Sequence, residues 1–197
     1  MNTVSTSNHQ DRKYTMSDII WPKGYVPGFT DNFCSNEVIV AGLSVEELWS
    51  LLATPHLWPT YYKNAANTRF HDGNGPVLAA GDRFYFETFG FSVEAQVVEC
   101  VAPVIGQAAR IAWHGWAGST QEDRLDVHHA WLLENLSGSR VRILTQETQV
   151  GKPAQELAQA KPNPMINGHQ DWLDGLVAAG RSMVNSSWEG KATSSCV

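Results

Sequence analysis

The apolar and polar positions of the chain alternate in a series of short runs and then change to one long segment with helical spacing. Alternation with a period of two is typical of half-buried strands. It occurs in FCSNEVIVAG, DRFYFET, FSVEAQVVECV, QAARIAWHGW, RLDVHHAWLLENL and SRVRILTQETQV, and a further strand is expected from Asn67 to His71. The segment from Met165 to about Ser187 has the spacing of a single long helix. This order predicts an α+β fold in which an antiparallel sheet is crossed by a C-terminal helix.

Two short helical segments are expected between the first strand and the rest of the sheet. In LSVEELWSLLATP, Ser44 is the expected N-cap, and Glu47 three residues later completes a capping box. Pro55 ends this helix because proline supplies no backbone N–H. The second segment, PHLWPTYY, follows directly.

The two strands around Phe89 and Gly90 are expected to form a tight hairpin. A two-residue turn at these positions places the apolar residues of both strands on one face of the sheet. The resulting pairs are Thr88 with Phe91, Phe86 with Val93, and Phe84 with Ala95.

His128 and His129 are neighbours in a predicted strand, so their side chains point to opposite faces of the sheet. The face that contains His129 is the apolar one, which predicts that His129 points inward and that His128 is a surface side chain. The other residues of that face are Leu125, Val127, Trp131 and Leu133. A three-residue loop, Ser137 to Ser139, pairs this strand with the next; the expected pairs are Leu133 with Ile143, Trp131 with Thr145, and His129 with Glu147.

The pairing of His129 with Glu147 would bring an imidazole and a carboxylate together in an apolar interior. The carboxylate favours the imidazolium while desolvation opposes charge on either group, so such a pair can hold a proton near neutral pH. It would supply acid–base catalysis without a cofactor. The alternative is that the two side chains hydrogen-bond each other or a buried water and only satisfy a curved sheet.

The long helix places His169 at the centre of its apolar face. At about 100° per residue, the positions that share this face are Met165, Ile166, Trp172, Leu173, Leu176, Gly180 and Met183. The opposite face carries Gln170, Asp171, Asp174, Arg181 and Asn185. His169 is either a ligand contact or a hydrogen-bonded core residue, and Gly180 is expected to permit the close approach of a strand.

Composition excludes several classes of function. The net charge is -6, and no run of Lys or Arg is present, which argues against nucleic acid as a partner. The three cysteines, Cys34, Cys100 and Cys196, are too far apart to suggest a disulfide framework or a zinc site. No stretch has the apolar core of a signal peptide or the length of a membrane span. We therefore expect a cytoplasmic protein without membrane insertion; the sequence does not indicate its oligomeric state.

Five stretches resemble the START-like superfamily that includes the birch-pollen allergens, and within it the polyketide cyclase/dehydrase and lipid-transport group. They are VEELWSLLATPHLWPTYY, AAGDRFYFETFGFSVEAQVVE, IAWHGW, HAWLLE and GHQDWLDGL, which together cover roughly residues 33–184. The resemblance implies a helix-grip fold, in which a strongly curved seven-stranded sheet wraps around the C-terminal helix and encloses a deep apolar cavity. It also implies binding or transformation of hydrophobic molecules such as polyketides, sterols and lipids. The loop HDGNGP resembles the glycine-rich loop of the allergen branch and is expected to be a turn and not a phosphate site.

The chain is expected to contain one ligand-binding domain, residues 33–188. A partly disordered arm, residues 1–32, precedes it, and a flexible tail, residues 189–197, follows it. Either the arm or the polar loop of residues 117–123 could cover the mouth of the cavity.

Three functions fit these features. The preferred hypothesis is a cofactor-independent enzyme of the lyase or isomerase type that binds a polyketide- or terpenoid-like molecule and directs its cyclisation, dehydration or isomerisation, with His129 and Glu147 moving the proton. The alternatives are a non-catalytic carrier of a lipid or other small molecule and a cochaperone-like interaction module. The expected substrate-binding residues are Tyr62, Phe84, Phe86, Thr88, Trp113, Trp131, Thr145, His169, Trp172 and Leu176. No metal site is expected, because His56, His71 and His114 have no predicted partner.

Overall fold

The structure is a computed structural model that describes residues 16–193, with side chains as far as residue 186. The strands are β1 (Asn32–Ala41), β2 (Ala66–Phe70), β3 (Arg83–Thr88), β4 (Phe91–Val101), β5 (Ala109–Ala117), β6 (Leu125–Leu136) and β7 (Arg140–Val150). The helices are α1 (Val45–Leu52), α2 (Trp58–Tyr61), α3 (Lys152–Gln159) and α4 (Pro164–Thr193), with a 3₁₀ turn at Pro55–Leu57. Helix α3 has no counterpart in the sequence-based prediction. The first part of the expected disordered arm and the end of the expected tail, including Cys196, lie outside the described residues.

The strands form one antiparallel seven-stranded sheet in the order β1-β7-β6-β5-β4-β3-β2. This sheet curves around helix α4, so the predicted fold class is confirmed. The predicted hairpin pairs of β3 with β4 and of β6 with β7 are also confirmed, including His129 opposite Glu147. The predicted capping box of α1 is present, with Ser44 Oγ accepting from the Glu47 N–H at 3.2 Å and the Glu47 carboxylate accepting from the Ser44 N–H at 2.8 Å.

Aromatic side chains fill most of the space between the sheet and α4. Trp58 stacks on Trp113 with ring centroids 5.6 Å apart, and Tyr62 stacks on Trp172 at 4.5 Å. The largest fully buried side chains also include Trp131 and Phe84. Each buried aromatic residue removes about 150–250 Å² from water. The interior is therefore built mainly from the rings of the protein itself.

The arm that precedes β1 lies across the outer face of the sheet. Ile19 and Trp21 pack there on a small apolar cluster of Ala112, Ala130, Leu132 and Leu144. Polar contacts fasten the arm at both ends, because the Ser17 hydroxyl donates to Glu134 at 2.9 Å and the Thr148 hydroxyl donates to the Tyr25 carbonyl at 2.9 Å. The described part of the arm thus covers the face opposite the cavity.

This position of the arm corrects the prediction that His128 is a surface residue. His128 does point to the outer face, but only 2% of its surface is exposed. The rings of Trp21 and Tyr25 lie over it, with centroids 5.5 Å and 5.9 Å away. The period-two pattern identifies the face of the sheet, but it does not show that another segment covers that face.

Helix α4 agrees with its predicted apolar face in the middle and departs from it near the ends. His169, Trp172, Leu173 and Leu176 are buried, whereas Ile166 and Met183 are exposed. Gly180 faces the Leu43 and Leu48 side chains, so it permits the approach of α1 and its preceding loop and not of a strand. Among the described residues, no helix combines the length and apolar character needed to cross a membrane.

Candidate functional site

Four elements bring polar side chains to one place inside the sheet. His129 comes from β6 and Glu147 from the opposite position of β7. On the other side of β7, Cys34 of β1 is also paired with Glu147. Helix α4 adds His169 from above. All four side chains are buried.

Glu147 is the centre of this group. Its Oε2 atom lies 3.1 Å from Nδ1 of His129 and 3.6 Å from Nε2 of His169. The two imidazole rings stack on each other, with centroids 4.5 Å apart and planes 17° apart. One carboxylate oxygen therefore lies close to both rings. We call His129, Glu147 and His169 the Glu147 cluster.

Each histidine of the Glu147 cluster has a second polar partner. Nε2 of His129 lies 2.8 Å from the hydroxyl oxygen of Thr145, which is its diagonal neighbour on β7. Nδ1 of His169 lies 3.1 Å from Sγ of Cys34. These contacts orient both rings and leave the remaining ring nitrogen of each on the side of Glu147.

The carboxylate is held in the same way from its other oxygen. The side-chain amide of Gln149 donates to Oε1 of Glu147. The Gln149 carbonyl oxygen in turn accepts from the Asn32 amide at 2.7 Å, and Asn32 Oδ1 accepts from the Asn163 amide at 3.0 Å. This chain of amides runs from β7 through β1 to the beginning of α4, so it also ties the helix to the sheet.

Burial dominates the electrostatics of the cluster. It lowers the pKa of His129 to about 3. It also lowers the pKa of His169 to about 3, with His129 adding to the effect and Glu147 opposing it. Burial raises the pKa of Glu147, against the influence of His169 and of the Gln149 hydrogen bond. The pKa of the Cys34 thiol is also raised by burial, with a further contribution from Glu147. The uncharged form of every group is favoured.

The uncharged state defines what the cluster can do with a proton. Cys34 remains a thiol, and its sulfur lies 3.1 Å from Nδ1 of His169 and 3.9 Å from the backbone carbonyl oxygen of Glu147. When the thiol donates to Nδ1, the proton of that ring lies on Nε2, on the side of Glu147. Glu147 can then carry its own proton as a carboxylic acid. An acid and a base thus lie 3.1 Å apart without a net charge.

The space beside the cluster is small. The cavity between the sheet and α4 has a volume of about 30 Å³. One water needs roughly 10–15 Å³, whereas sites for drug-sized ligands have roughly 300–1,000 Å³. The aromatic rings occupy most of the deep cavity that the resemblance implied.

The structure divides the expected substrate-binding residues into two groups. Those that line the cavity together with His129 and Glu147 are Phe86, Thr88, Trp113, His169 and Trp172. Those that are buried but do not line it are Tyr62, Phe84, Trp131, Thr145 and Leu176. The indole Nε1 of Trp113 is buried in this wall and has no hydrogen-bond partner among the described residues. It is a free donor at the cavity.

The Glu147 cluster also has the composition of a metal site. Its three side chains each place one ligand atom within 4.8 Å of the others. Two imidazoles bind one ion when both ring planes pass through it, but here the rings are stacked with planes only 17° apart. The rings do not converge on a common point, so this geometry favours a shared proton over a shared metal ion.

Several residues of the site were missing from the sequence-based candidates. Cys34 and Gln149 contact the cluster, while Phe89 and Met165 line the cavity. A signal for Gln149 was present, because it lies two residues after Glu147 and therefore on the same face of β7. Cys34 had no such signal, since the pairing of β1 with β7 joins distant parts of the chain.

The architecture and the site together define a helix-grip protein with a buried cluster of one carboxyl group and two imidazoles at the wall of its cavity. No family model matches the chain, and no curated protein does. A hypothetical protein from Helicobacter pylori of known crystal structure is 49% identical, with a TM-score of 0.80 over 84% of this chain and 98% of that one. The chain belongs to the same family as this Helicobacter pylori protein.

More distant structures share the fold at low sequence identity. A norcoclaurine synthase point mutant from Thalictrum flavum, solved with a transition-state analogue, is 10% identical with a TM-score of 0.52 over 77% of this chain and 95% of that one. The di-domain ARO/CYC protein StfQ from the steffimycin biosynthetic pathway is 10% identical with a TM-score of 0.56 over 79% of this chain and 53% of that one. These similarities establish the fold.

Proposed function

We propose that the protein binds a hydrophobic small molecule, of polyketide or terpenoid type, beside the Glu147 cluster and promotes its cyclisation, dehydration or isomerisation without a cofactor. The observation that carries the proposal is the Glu147 carboxyl group, buried between two neutral imidazoles at a wall that is otherwise mainly apolar. Perturbed titratable groups that converge on a cavity are typical of catalytic sites.

In this mechanism Glu147 is the acid and His129 is the base. Glu147 donates its proton to an oxygen or a carbon of the substrate, and His129 removes a proton from a neighbouring position. Thr145 holds the His129 ring, and Trp113 donates a hydrogen bond from its free indole N–H to a substrate carbonyl. Positioned acid–base groups of this kind contribute typically about 10²- to 10⁴-fold to a rate.

The distant structures support this proposal by analogy only. Their names include a norcoclaurine synthase and an ARO/CYC protein, so proteins with this fold include a synthase and an ARO/CYC protein. Function resides in the site and not in the fold. In this chain the catalytic groups would be those of the Glu147 cluster.

The test begins with native mass spectrometry of the full chain, which identifies a molecule that co-purifies in the cavity. Turnover of that molecule is then compared in the wild type and in the His129→Ala and Glu147→Gln variants. We expect kcat to fall by about 10²- to 10⁴-fold in both. A His128→Gln variant, changed on the outer face of the same strand, is the matched control and keeps its turnover. Full turnover in both inner variants would contradict the assigned acid and base.

One observation favours a non-catalytic function as the second candidate. The interior is filled by aromatic rings and leaves only about 30 Å³, as expected for an interaction module with a closed core. Under this alternative no small molecule co-purifies. A carrier would instead retain its ligand, and Glu147→Gln would leave the affinity unchanged or improve it, since a carrier needs no proton transfer.

A further inference from the structure

Beside the buried cavity, the surface of the protein has a groove of about 380 Å³. We call it the outer groove; its walls are Lys63, Asn64, Ala66, Glu87, Thr88, Phe89, Gly90 and Ser92. Thr88 and Phe89 line both the outer groove and the cavity. Phe89 is half-buried, so its ring forms part of the wall between the two spaces.

The conformation of Phe89 is unusual for its residue type. Phe89 and Gly90 form the two-residue turn between β3 and β4, with φ angles of 51° and 77°. Turns of this kind favour Asn or Asp at the first position, because these residues adopt positive φ at low cost. Bulky residues do so only when other contacts compensate. The chain therefore retains a phenylalanine where the turn itself would favour asparagine.

The compensating contacts lie at the cavity. The Phe89 ring packs on Gly168 of α4 so closely that a Cβ atom at that position would overlap it. Its centroid is 6.4 Å from that of His169, in an edge-on arrangement. The Phe89 N–H donates to Oδ1 of Asn64 at 3.0 Å, which fastens the turn while the ring points inward. Gly168 and the turn thus form a seat for one aromatic ring beside the Glu147 cluster.

The walls of the outer groove carry two charged side chains of opposite sign, Glu87 and Lys63. Glu87 accepts hydrogen bonds from Tyr85 and Asn67, both at 2.8 Å. Lys63 is exposed and, within the part of the chain that the structure describes, has no ion-pair or hydrogen-bond partner. A ligand that lies in the groove therefore has the Lys63 ammonium in one part of its wall and the Phe89 ring in another.

We propose that the cavity and the outer groove form one ligand site, that Phe89 is the movable partition between them, and that the site takes a flat apolar molecule with an anionic end. The apolar end replaces the Phe89 ring on Gly168 and reaches the cluster, while the anionic end lies at Lys63. Displacement of the ring merges the two spaces into a site of several hundred Å³, the size that small-molecule sites usually have. This inference rests on the proposed function, because it supplies the substrate class of the same site.

The proposal is tested with 8-anilinonaphthalene-1-sulfonate, a probe with flat rings and an anionic group, in a fluorescence titration of the full chain. Phe89→Asn removes the ring and keeps a turn that folds well, so we expect its affinity for the probe to rise at least about fivefold. Lys63→Gln should lower the affinity of the same variant about two- to fivefold.

Two results would overturn the proposal. One is an affinity of Phe89→Asn for the probe that equals that of the wild type. The other is loss of probe binding in Ile105→Ser. Ile105 is a 96% exposed apolar residue that does not line the groove, so this loss would show that the probe adsorbs to the surface. Turnover of the Glu147→Gln variant tests the proposed acid–base function separately from ligand binding. If Phe89 and Lys63 control binding while Glu147→Gln leaves turnover intact, the ligand site holds and the acid–base mechanism fails.

Discussion

The two faces of strand β6 each bury a histidine, and these histidines are adjacent in sequence. His128 and His129 are both 2% exposed. Burial lowers the pKa of His128 to about 4 and that of His129 to about 3. The two side chains therefore have the same exposure and similarly lowered pKa values.

Their surroundings are different. His128 lies under the rings of Trp21 and Tyr25, and its Nε2 has no hydrogen-bond partner among the described residues. His129 contacts Thr145 and Glu147, with a second histidine stacked on it. A perturbed pKa alone therefore does not identify a functional histidine. The inner face is the candidate site because it places a carboxyl group and an imidazole 3.1 Å apart at a cavity.

The largest expected effect is a loss of stability in acid to which both faces contribute. His128, His129 and His169 have folded-state pKa values of about 4, 3 and 3, below the value of 6.5 expected for the unfolded chain. The unfolded chain therefore binds more protons below pH 6.5, so this stability is present above that pH and is lost as the pH falls. Each histidine contributes at most about 1.4 kcal/mol per pH unit to the decrease in the free energy of unfolding with falling pH.

Urea unfolding at a series of pH values measures this slope. His128→Gln and His129→Gln should each reduce, by a similar amount, the loss of unfolding free energy at acid pH. Only the second is expected to affect turnover. Glu147→Gln acts with the opposite sign: the raised pKa of Glu147 gives stability at low pH that is lost as the pH rises through its folded-state value. If the variant with both His128→Gln and His129→Gln lost as much unfolding free energy in acid as the wild type, the assigned pKa shifts would be wrong.

The second prediction concerns Trp21, whose ring covers His128 on the outer face of the sheet. Trp21→Ala removes a half-buried ring from Phe33 and His128, and we expect a loss of about 2–3 kcal/mol, somewhat less than for a fully buried tryptophan. The pKa of His128 should rise towards its ordinary value because desolvation is the main cause of its shift. Histidine titration by NMR should show no change at His129. Phe29→Ala, a change of an 87% exposed residue in the same arm, is the control.

The sequence predicts the inner face better than the outer one for a physical reason. The pairing of His129 with Glu147 follows from a short loop and a period of two, which are local properties. The cover over His128 depends on the docking of a distant arm, and the contact of Cys34 with His169 depends on the pairing of β1 with β7. The cavity volume depends on how the Trp58, Trp113 and Trp172 rings pack, which a residue pattern does not encode.

A smaller effect tests whether the partners of the inner face tune its proton affinity. Gln149→Leu removes the hydrogen bond to Oε1 of Glu147, which lowers the pKa of that carboxyl group. The pKa of Glu147 should therefore rise further, at a cost of about 1–3 kcal/mol in unfolding free energy for the partners left unpaired. Carboxyl titration by NMR measures the shift. Gln146→Leu on the other face of β7 is the matched control, and an equal shift there would count against a specific role of Gln149.

The smallest expected effect concerns the tautomer of the second inner histidine. Cys34→Ala removes the thiol that lies 3.1 Å from Nδ1 of His169, and we expect a cost of about 1 kcal/mol because one hydrogen bond and little volume are lost. Without the thiol donor, the proton of His169 is no longer held on Nε2, so ¹⁵N NMR should show a mixture of tautomers where the wild type shows one. The tautomer of His128 should be unaffected, and Cys100→Ala, at the other described cysteine, should change neither ring. A single unchanged tautomer of His169 in Cys34→Ala would show that Glu147 alone orients this ring, and that the inner face needs fewer partners than its geometry suggests.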